Sequence, residues 1–268
     1  MWSKNETTKY PDLKNAILLV ALFLIFQMIA SYFVGALAEI TGRAISAAAW
    51  GMVNILAFLA IMQLVIKRTG VRTREIIGPG RLSLVSIIAI VPTCIGSLLL
   101  LTELQSVLQQ IVPVSDRLKN SLELIYNPDD VLGVILMVCL VAPFTEEIIF
   151  RGVILSGFLK NYHKLEALLL SSWLFGFIHL NLWQYIGAFF LGLLLGLIYM
   201  RTKSVIPSML CHGLYNGSTL VIDKVWTYLF MRFSLPILII NVSGVALLVI
   251  GVILLIQSTK SSYKTHSR

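Results

Sequence analysis

The chain has 268 residues, of which 57% are hydrophobic and 13% are charged, about half the charged fraction of a typical soluble domain. Together with a mean hydropathy of +0.87, this composition excludes a disordered protein, a nucleic-acid-binding tail protein and an ordinary cytosolic enzyme. Apolar runs of 18 or more residues recur along the chain, so we predict an all-α, polytopic helix bundle that spans a membrane.

The hydrophobic pattern predicts eight transmembrane helices in one membrane domain. Between the third and fourth of them lies a mixed polar segment, in which Val112 to Ile125 is expected to form an amphipathic helix on the membrane surface. Asn127-Pro128-Asp129-Asp130 then predicts a turn and an N-cap for the fourth span. The predicted spans are residues 15–38, 46–66, 82–102, 131–159, 164–180, 182–200, 204–222 and 235–256.

The distribution of basic residues predicts that both termini are cytoplasmic. With the N-terminus inside, fifteen Lys and Arg residues fall in cytoplasmic segments and five in outer segments, which include 103–130 and 223–234. This asymmetry follows the positive-inside rule, so the formal net charge of +8 indicates membrane topology and no nucleic-acid partner. The connections after the fourth and fifth spans are very short, which predicts that spans four, five and six are antiparallel neighbours. Gly192 and Gly196 in the sixth span favour close packing inside the bundle over dimerisation.

Three charged side chains lie close together inside the fourth apolar run. Glu146, Glu147 and Arg151 occupy the sequence Thr-Glu-Glu-Ile-Ile-Phe-Arg-Gly, where each charge costs roughly 2.5–3.5 kcal/mol in hydrocarbon. Glu147 and Arg151 are four residues apart, in the order that favours an ion pair on one helix face. Glu146 points about 100° away, so one carboxylate remains for another role. Pro143, just upstream, is expected to kink or open the helix.

Further polar residues lie in later spans. His179 is near the end of the fifth predicted span, and His212 and Asn216 are four apart in the seventh, so these two share a helix face. At a rise of 1.5 Å per residue, Glu146 and His179 reach similar depths, about 20 and 22 Å from the cytoplasmic ends of their spans. We therefore expect one polar cluster inside the bilayer.

The ordered motifs Glu-Glu-x-x-x-Arg, Phe-x-x-x-His and His-x-x-x-Asn resemble the CPBP family, which contains type II CAAX prenyl endopeptidases and bacteriocin-processing or Abi proteins. The resemblance covers about a third of the chain and implies an intramembrane endopeptidase. It divides the chain into residues 1–128 with three spans, a core at 129–222 with four, and 223–268 with the last span and a polar tail. The site residues it implies are Glu146, Glu147, Arg151, His179, His212 and Asn216.

Peptide hydrolysis needs an activated water and a hydrogen-bond donor for the developing oxyanion. We expect Glu146 to take a proton from the water while His179 helps to position it. His212 and the Asn216 amide would donate to the oxyanion, and Glu147 with Arg151 would hold the helix and its charge balance. This version of the site needs no cofactor.

A zinc site is the alternative mechanism. Glu146, His179 and His212 would form a His₂Glu set with an open position for water. The chain lacks the usual His-Glu-x-x-His helix, and Glu147, which would then have to act as the base, is expected to be committed to Arg151. The sequence therefore favours the metal-free version.

Two other classes of function remain open at this point. Buried Glu and His residues also build proton relays, which would suit a proton-coupled transporter, although no repeated half is visible. A non-catalytic membrane immunity or regulatory protein could use the same fold. The expected partners are membrane lipid and a peptide or protein substrate, either lipidated or a peptide precursor, and the expected location is a bacterial cytoplasmic membrane.

Overall fold

The computed structural model describes residues 10–42, 45–78, 84–116, 118–120, 128–233 and 237–264. These residues form helices joined by short turns, and the predicted all-α membrane bundle is confirmed. The helices are α1 (Leu13–Thr41), α2 (Ala47–Thr69), α3 (Thr73–Ile77), α4 (Leu84–Ile111), α5 (Val131–Asn161), α6 (Lys164–Phe177), α7 (Leu182–Thr202), α8 (Val205–Phe233) and α9 (Ile237–Lys264).

Six helices of the described part of the chain are long and apolar enough to cross a membrane, namely α1, α2, α4, α5, α7 and the first 22 residues of α9. The predicted fifth span corresponds to α6, which has 14 residues. Its length of about 21 Å is less than the roughly 30 Å hydrocarbon core. The count of eight spans and the cytoplasmic location of the termini stay predictions.

Three predicted helix ends lie well before those in the structure, and one of them belongs to α9, which runs to Lys264 instead of ending at residue 256. Helix α8 continues to Phe233, eleven residues beyond the predicted end of the seventh span at residue 222, so most of the predicted outer segment 223–234 is helical. Helix α4 runs to Ile111 instead of ending at residue 102, because residues 103–111 contain no Gly or Pro to stop it.

The surface helix predicted over Val112 to Ile125 does not form at its start. Residues 112–115 are not helical, because Pro113 has no N–H to continue a helix and restricts the residue before it. Residues 116 and 118–120 are helical, as predicted, and residues 117 and 121–125 lie outside the described residues.

Helix α5 begins where the sequence predicted. Asp130 is its N-cap, and the Asp130 carboxylate accepts a hydrogen bond from the Gly133 backbone N–H at 3.1 Å. The same carboxylate accepts one from the Ala47 N–H at 2.8 Å, at the first residue of α2. One side chain therefore satisfies orphan donors of two helices and fixes the start of α5 against α2.

Helices α6, α7 and α8 pack around α5, and α9 packs along α4. The contacts of α5 and α7 with α6 agree with the prediction that spans four, five and six are neighbours. Close approach depends on glycines: a Cβ on Gly192 would lie 3.1 Å from Ser172 Cβ, and one on Gly196 would overlap the Leu168 side chain. The two glycines thus pack α7 against α6 inside the bundle.

Candidate active site

Helix α5 is not a regular α-helix around the charged residues. Residues Met137–Val141 and Ile148–Leu155 are π-helical, and the α-helical turn Ala142–Glu147 lies between them. Pro143 stands in the first turn after the earlier π segment, Met137–Val141, where a proline has no N–H to donate to the preceding turn. The predicted opening of the helix at Pro143 therefore takes the form of a π-bulge, a feature that is frequent at functional sites.

Glu147 is the centre of a buried ion-pair network. Its Oε1 atom accepts from Arg151 Nη1 at 2.9 Å, the pair that the spacing of four residues predicted. The same oxygen lies 2.9 Å from Nδ1 of His212 on α8. The Glu147 side chain is 0% exposed and that of Arg151 is 1% exposed, so both charges depend on these partners. The contact with His212 was not predicted.

The Arg151 guanidinium joins three helices. Besides Glu147, it donates from Nη2 to the Gly192 carbonyl on α7 at 3.2 Å. Its Cζ atom also lies 4.3 Å from the centroid of the Phe175 ring on α6, a cation–π contact. A Cβ atom on Gly192 would lie 3.1 Å from Ser172 and 3.2 Å from Phe175, so the missing side chain lets α7 pack closely on α6 beside this hydrogen bond. The Arg151 side chain therefore links α5, α6 and α7 at this point of the bundle.

Glu146 has a different environment from Glu147. Its side chain is 13% exposed, and its Oε2 atom faces Nε2 of His212 across 4.0 Å. This separation is too long for a direct hydrogen bond, but one water oxygen can contact both atoms. The two adjacent carboxylates thus face opposite nitrogens of the same imidazole ring, with Glu147 at Nδ1 and Glu146 at Nε2.

Phe175 brings the second histidine to this cluster. The ring centroids of His179 and His212 lie 5.8 and 5.6 Å from that of Phe175, both in edge-to-face geometry. His179 Nδ1 is 3.2 Å from the Phe175 carbonyl, which can only accept, so we assign the proton to Nδ1. In the neutral ring Nε2 is then an acceptor for a water or a substrate N–H. Phe175 was part of the sequence motif, but its packing role was missed.

Asn216 lies one helical turn after His212 on α8. Its side-chain Nδ2 donates to the Val138 carbonyl at 3.0 Å, within the π segment Met137–Val141. Asn216 is therefore anchored beside the charged group through the backbone of α5. The structure brings four of the predicted residues together, namely Glu146, Glu147, Arg151 and His212. It places His179 against the Phe175 ring that His212 also contacts.

Sequence reasoning also missed a contact from outside the predicted core. The Thr145 hydroxyl, which is next to Glu146 in the chain, donates to Asn54 Oδ1 on α2 at 2.6 Å. Thr145 is fully buried. A polar Asn within an otherwise apolar span was the available signal, because buried polar groups in a bilayer seek partners on neighbouring helices.

The side chains named for the zinc alternative do not form a ligand cluster as they stand. His212 directs Nδ1 at Glu147, and its Nε2 is 4.0 Å from Glu146 Oε2. Within the described ranges, no three His, Cys, Asp or Glu side chains form a group that could hold a metal ion. A tetrahedral zinc site would require Glu146, His179 and His212 to converge on one point.

The resemblance seen in the motifs has independent support. Residues 128–218 match the sequence model of a family described as Rce1-like, type II CAAX prenyl endopeptidase. The predicted resemblance to the CPBP/CAAX protease family is confirmed. The match covers about a third of the chain and includes all six predicted site residues. It supports a membrane-embedded peptidase as the general activity of this CAAX-protease-like core. No curated protein and no solved structure matches the chain.

Proposed function

We propose that the chain is an intramembrane endopeptidase that hydrolyses a peptide bond with a water activated by Glu146. One observation carries this proposal: two adjacent carboxylates, Glu147 fully buried and Glu146 partly exposed, have separate environments. Glu147 is held by Arg151 and His212 at 2.9 Å, whereas Glu146 faces His212 Nε2 at 4.0 Å and makes no shorter ion pair with a residue that the structure describes. A carboxylate that is not held in a short ion pair can accept a proton from water and act as a general base.

The charges of the cluster support this division of roles. With both glutamates ionised and with Arg151 and His212 protonated, the four side chains have a net charge of zero. Protonated Glu146 with neutral His212 also gives zero. One proton can therefore reside on either group without leaving a net charge in a medium of low dielectric constant, where an unbalanced charge is costly.

The proposed reaction begins with a water between Glu146 and His179. Glu146 takes one proton while the water oxygen attacks the carbonyl carbon of the peptide bond, and His179 Nε2 accepts a hydrogen bond from the other hydrogen and positions the water. The carbonyl oxygen then carries the negative charge. Glu146 returns its proton to the leaving nitrogen as the carbon–nitrogen bond breaks, which gives a carboxylic acid and an amine.

His212 and Asn216 would stabilise the oxyanion. Because His212 Nδ1 is directed at Glu147, its Nε2 atom carries a hydrogen only when the ring is protonated, and this cationic form is the strongest donor to an oxyanion. The Asn216 amide supplies a second donor. Removing one such donor typically costs about 10²–10³ in rate. The proposed mechanism uses these side chains and water alone.

For the substrate, we propose a prenylated CAAX-type protein or peptide, or another membrane-associated peptide precursor. The support is the description of the matched family, which names CAAX prenyl endopeptidases, and the position of the site in an integral membrane bundle. A bacterial cytoplasmic membrane is our proposed location. A lipid anchor would bring the scissile bond to the bilayer, where the polar cluster lies. No comparison supports the transporter or the immunity protein.

Cleavage of a defined peptide tests this proposal. The purified chain is reconstituted in phosphatidylcholine–phosphatidylglycerol vesicles with a farnesylated, internally quenched CAAX peptide, and products are identified by mass spectrometry. We expect cleavage of the farnesylated peptide at a higher kcat/KM than of its unmodified form. Glu103→Gln, a half-buried glutamate on α4, is the matched control and should cleave normally. An intact peptide with folded wild-type protein would refute the proposed substrate class.

A further inference from the structure

The π segment Met137–Val141 of α5 leaves the Val138 carbonyl without a donor in its own register. The Ala142 N–H donates to the Met137 carbonyl, five residues earlier, so the backbone at this point has the π register. The next donor in the same register would be residue 143, and its acceptor would be Val138. Residue 143 is a proline and has no N–H. The Val138 carbonyl therefore needs a hydrogen-bond donor from another part of the protein.

Asn216 supplies that donor. Its Nδ2 atom lies 3.0 Å from the Val138 oxygen, and Val138 is a buried residue. A carbonyl without water or a backbone partner is costly to bury, so this side-chain hydrogen bond replaces the one that Pro143 cannot make.

Helix α8 packs closely enough against α5 to allow this hydrogen bond. A Cβ atom added to Gly213 would lie 2.5 Å from the Cys139 carbonyl oxygen, and one added to Gly217 would lie 3.2 Å from Cys139 Sγ. Two glycines that flank Asn216 therefore let α8 lie directly on the π segment. The amide reaches the Val138 carbonyl because no side chain separates the two backbones.

We propose that Pro143 is a positioning residue that orients the Asn216 amide. By withholding a backbone N–H, Pro143 makes the Val138 carbonyl an acceptor for one of the two hydrogens on Asn216 Nδ2. That bond fixes the plane of the amide and leaves the second hydrogen to donate elsewhere. The consequence for catalysis rests on the proposed function, in which Asn216 donates to the oxyanion. The link between Pro143, Val138 and Asn216 does not depend on it.

A double-mutant cycle on stability tests the link without any substrate. Asn216→Ala should lower the unfolding midpoint by about 2–12 °C in the wild-type background, because the buried Val138 carbonyl loses its donor. In the Pro143→Ala background the restored N–H can satisfy that carbonyl, so Asn216→Ala should produce a shift less than half as large. Asn216→Leu, which has a similar volume and no donor, should behave like Asn216→Ala and separates the hydrogen bond from packing.

Pro92→Ala provides the matched control, because Pro92 also lies inside a transmembrane helix, α4, but withholds no N–H from the Val138 carbonyl. In that background Asn216→Ala should lower the midpoint as much as in the wild type. Equal shifts in the wild-type, Pro143→Ala and Pro92→Ala backgrounds would overturn the proposed link. If Pro143→Ala does not fold, the hydrogen bond is tested by NMR on protein labelled with ¹³C at the valine carbonyls. A Val138 carbonyl resonance that shifts in Asn216→Leu would support the proposed link. An unchanged resonance would overturn it.

Kinetics with the farnesylated peptide test the catalytic consequence. Pro143→Ala should lower kcat about tenfold or more and change KM by less than about twofold, and adding Asn216→Ala should cause little further loss. If the stability measurements show that Pro143 and Asn216 are coupled while Pro143→Ala keeps a normal kcat, Asn216 still supplies the donor that Pro143 lacks, but Pro143 does not orient a catalytic amide. A wild-type protein without activity would instead count against the proposed function alone.

Discussion

Removing the Arg151 guanidinium should destabilise the protein strongly, because it leaves the Glu147 carboxylate buried beside one remaining partner. Arg151 is 1% exposed and makes two hydrogen bonds, of 2.9 Å to Glu147 and 3.2 Å to the Gly192 carbonyl, together with its contact on Phe175. Breaking a buried ion pair by removing one partner costs about 3–5 kcal/mol. For a chain of this size, each kcal/mol corresponds to a midpoint shift of about 2–4 °C. Arg151→Ala should thus lower the midpoint by about 6–20 °C.

The assay is thermal unfolding of purified protein in one detergent, followed by circular dichroism. The matched control is Lys119→Ala, which breaks an ion pair with Asp116 at 3.2 Å in which the side chains are 57% and 92% exposed. An exposed pair of this kind contributes little, so its removal should leave the midpoint unchanged. The double variant Glu147→Gln with Arg151→Met should be more stable than Arg151→Ala, since no unpaired charge is left. Equal midpoints for Arg151→Ala and Lys119→Ala would show that the buried ion pair does not stabilise the fold.

Two further predictions concern topology and metal. Reporter fusions should follow the fifteen-to-five split of basic residues, with cytoplasmic signals after Arg74, Lys164, Lys203 and Lys264 and extracytoplasmic signals near Lys119 and Lys224. An extracytoplasmic signal at Lys164 or Lys203 would rule out the eight-span topology. The purified chain should cleave its substrate without stoichiometric metal and in the presence of chelators. One zinc per chain, with activity lost on stripping and restored on re-addition, would replace the proposed mechanism with a His₂Glu site.

The parts of the fold that depend on local sequence could be predicted. Long apolar runs indicated the main helices, Asp130 marked the start of α5, and the spacing of four residues indicated the Glu147–Arg151 pair. These features depend on the helical period and on capping chemistry, which act within a few residues. The family resemblance rested on the order of three motifs, which is also a property of the sequence alone.

The parts that depend on how helices meet could not be predicted. His212 was expected to serve the oxyanion or a metal, but which of its nitrogens faces Glu147 depends on the rotation of α8 against α5. The end of α8 at Phe233 was missed because Asp223 and Lys224 interrupt the apolar pattern inside the helix. Pro143 indicated a disturbance, yet the π register also depends on the donor that Val138 finds on another helix.

We propose that two neighbouring carboxylates have different tasks: Glu146 acts in the chemistry, and Glu147 holds the site together. Measuring peptide turnover and the unfolding midpoint together for Glu146→Gln and Glu147→Gln tests it most directly. We predict that Glu146→Gln lowers kcat by about 10²–10⁴ with a midpoint close to that of the wild type, as expected for loss of a general base. Glu147→Gln should lower the midpoint, because Arg151 loses its buried counter-ion. Wild-type turnover by folded Glu146→Gln would contradict the account.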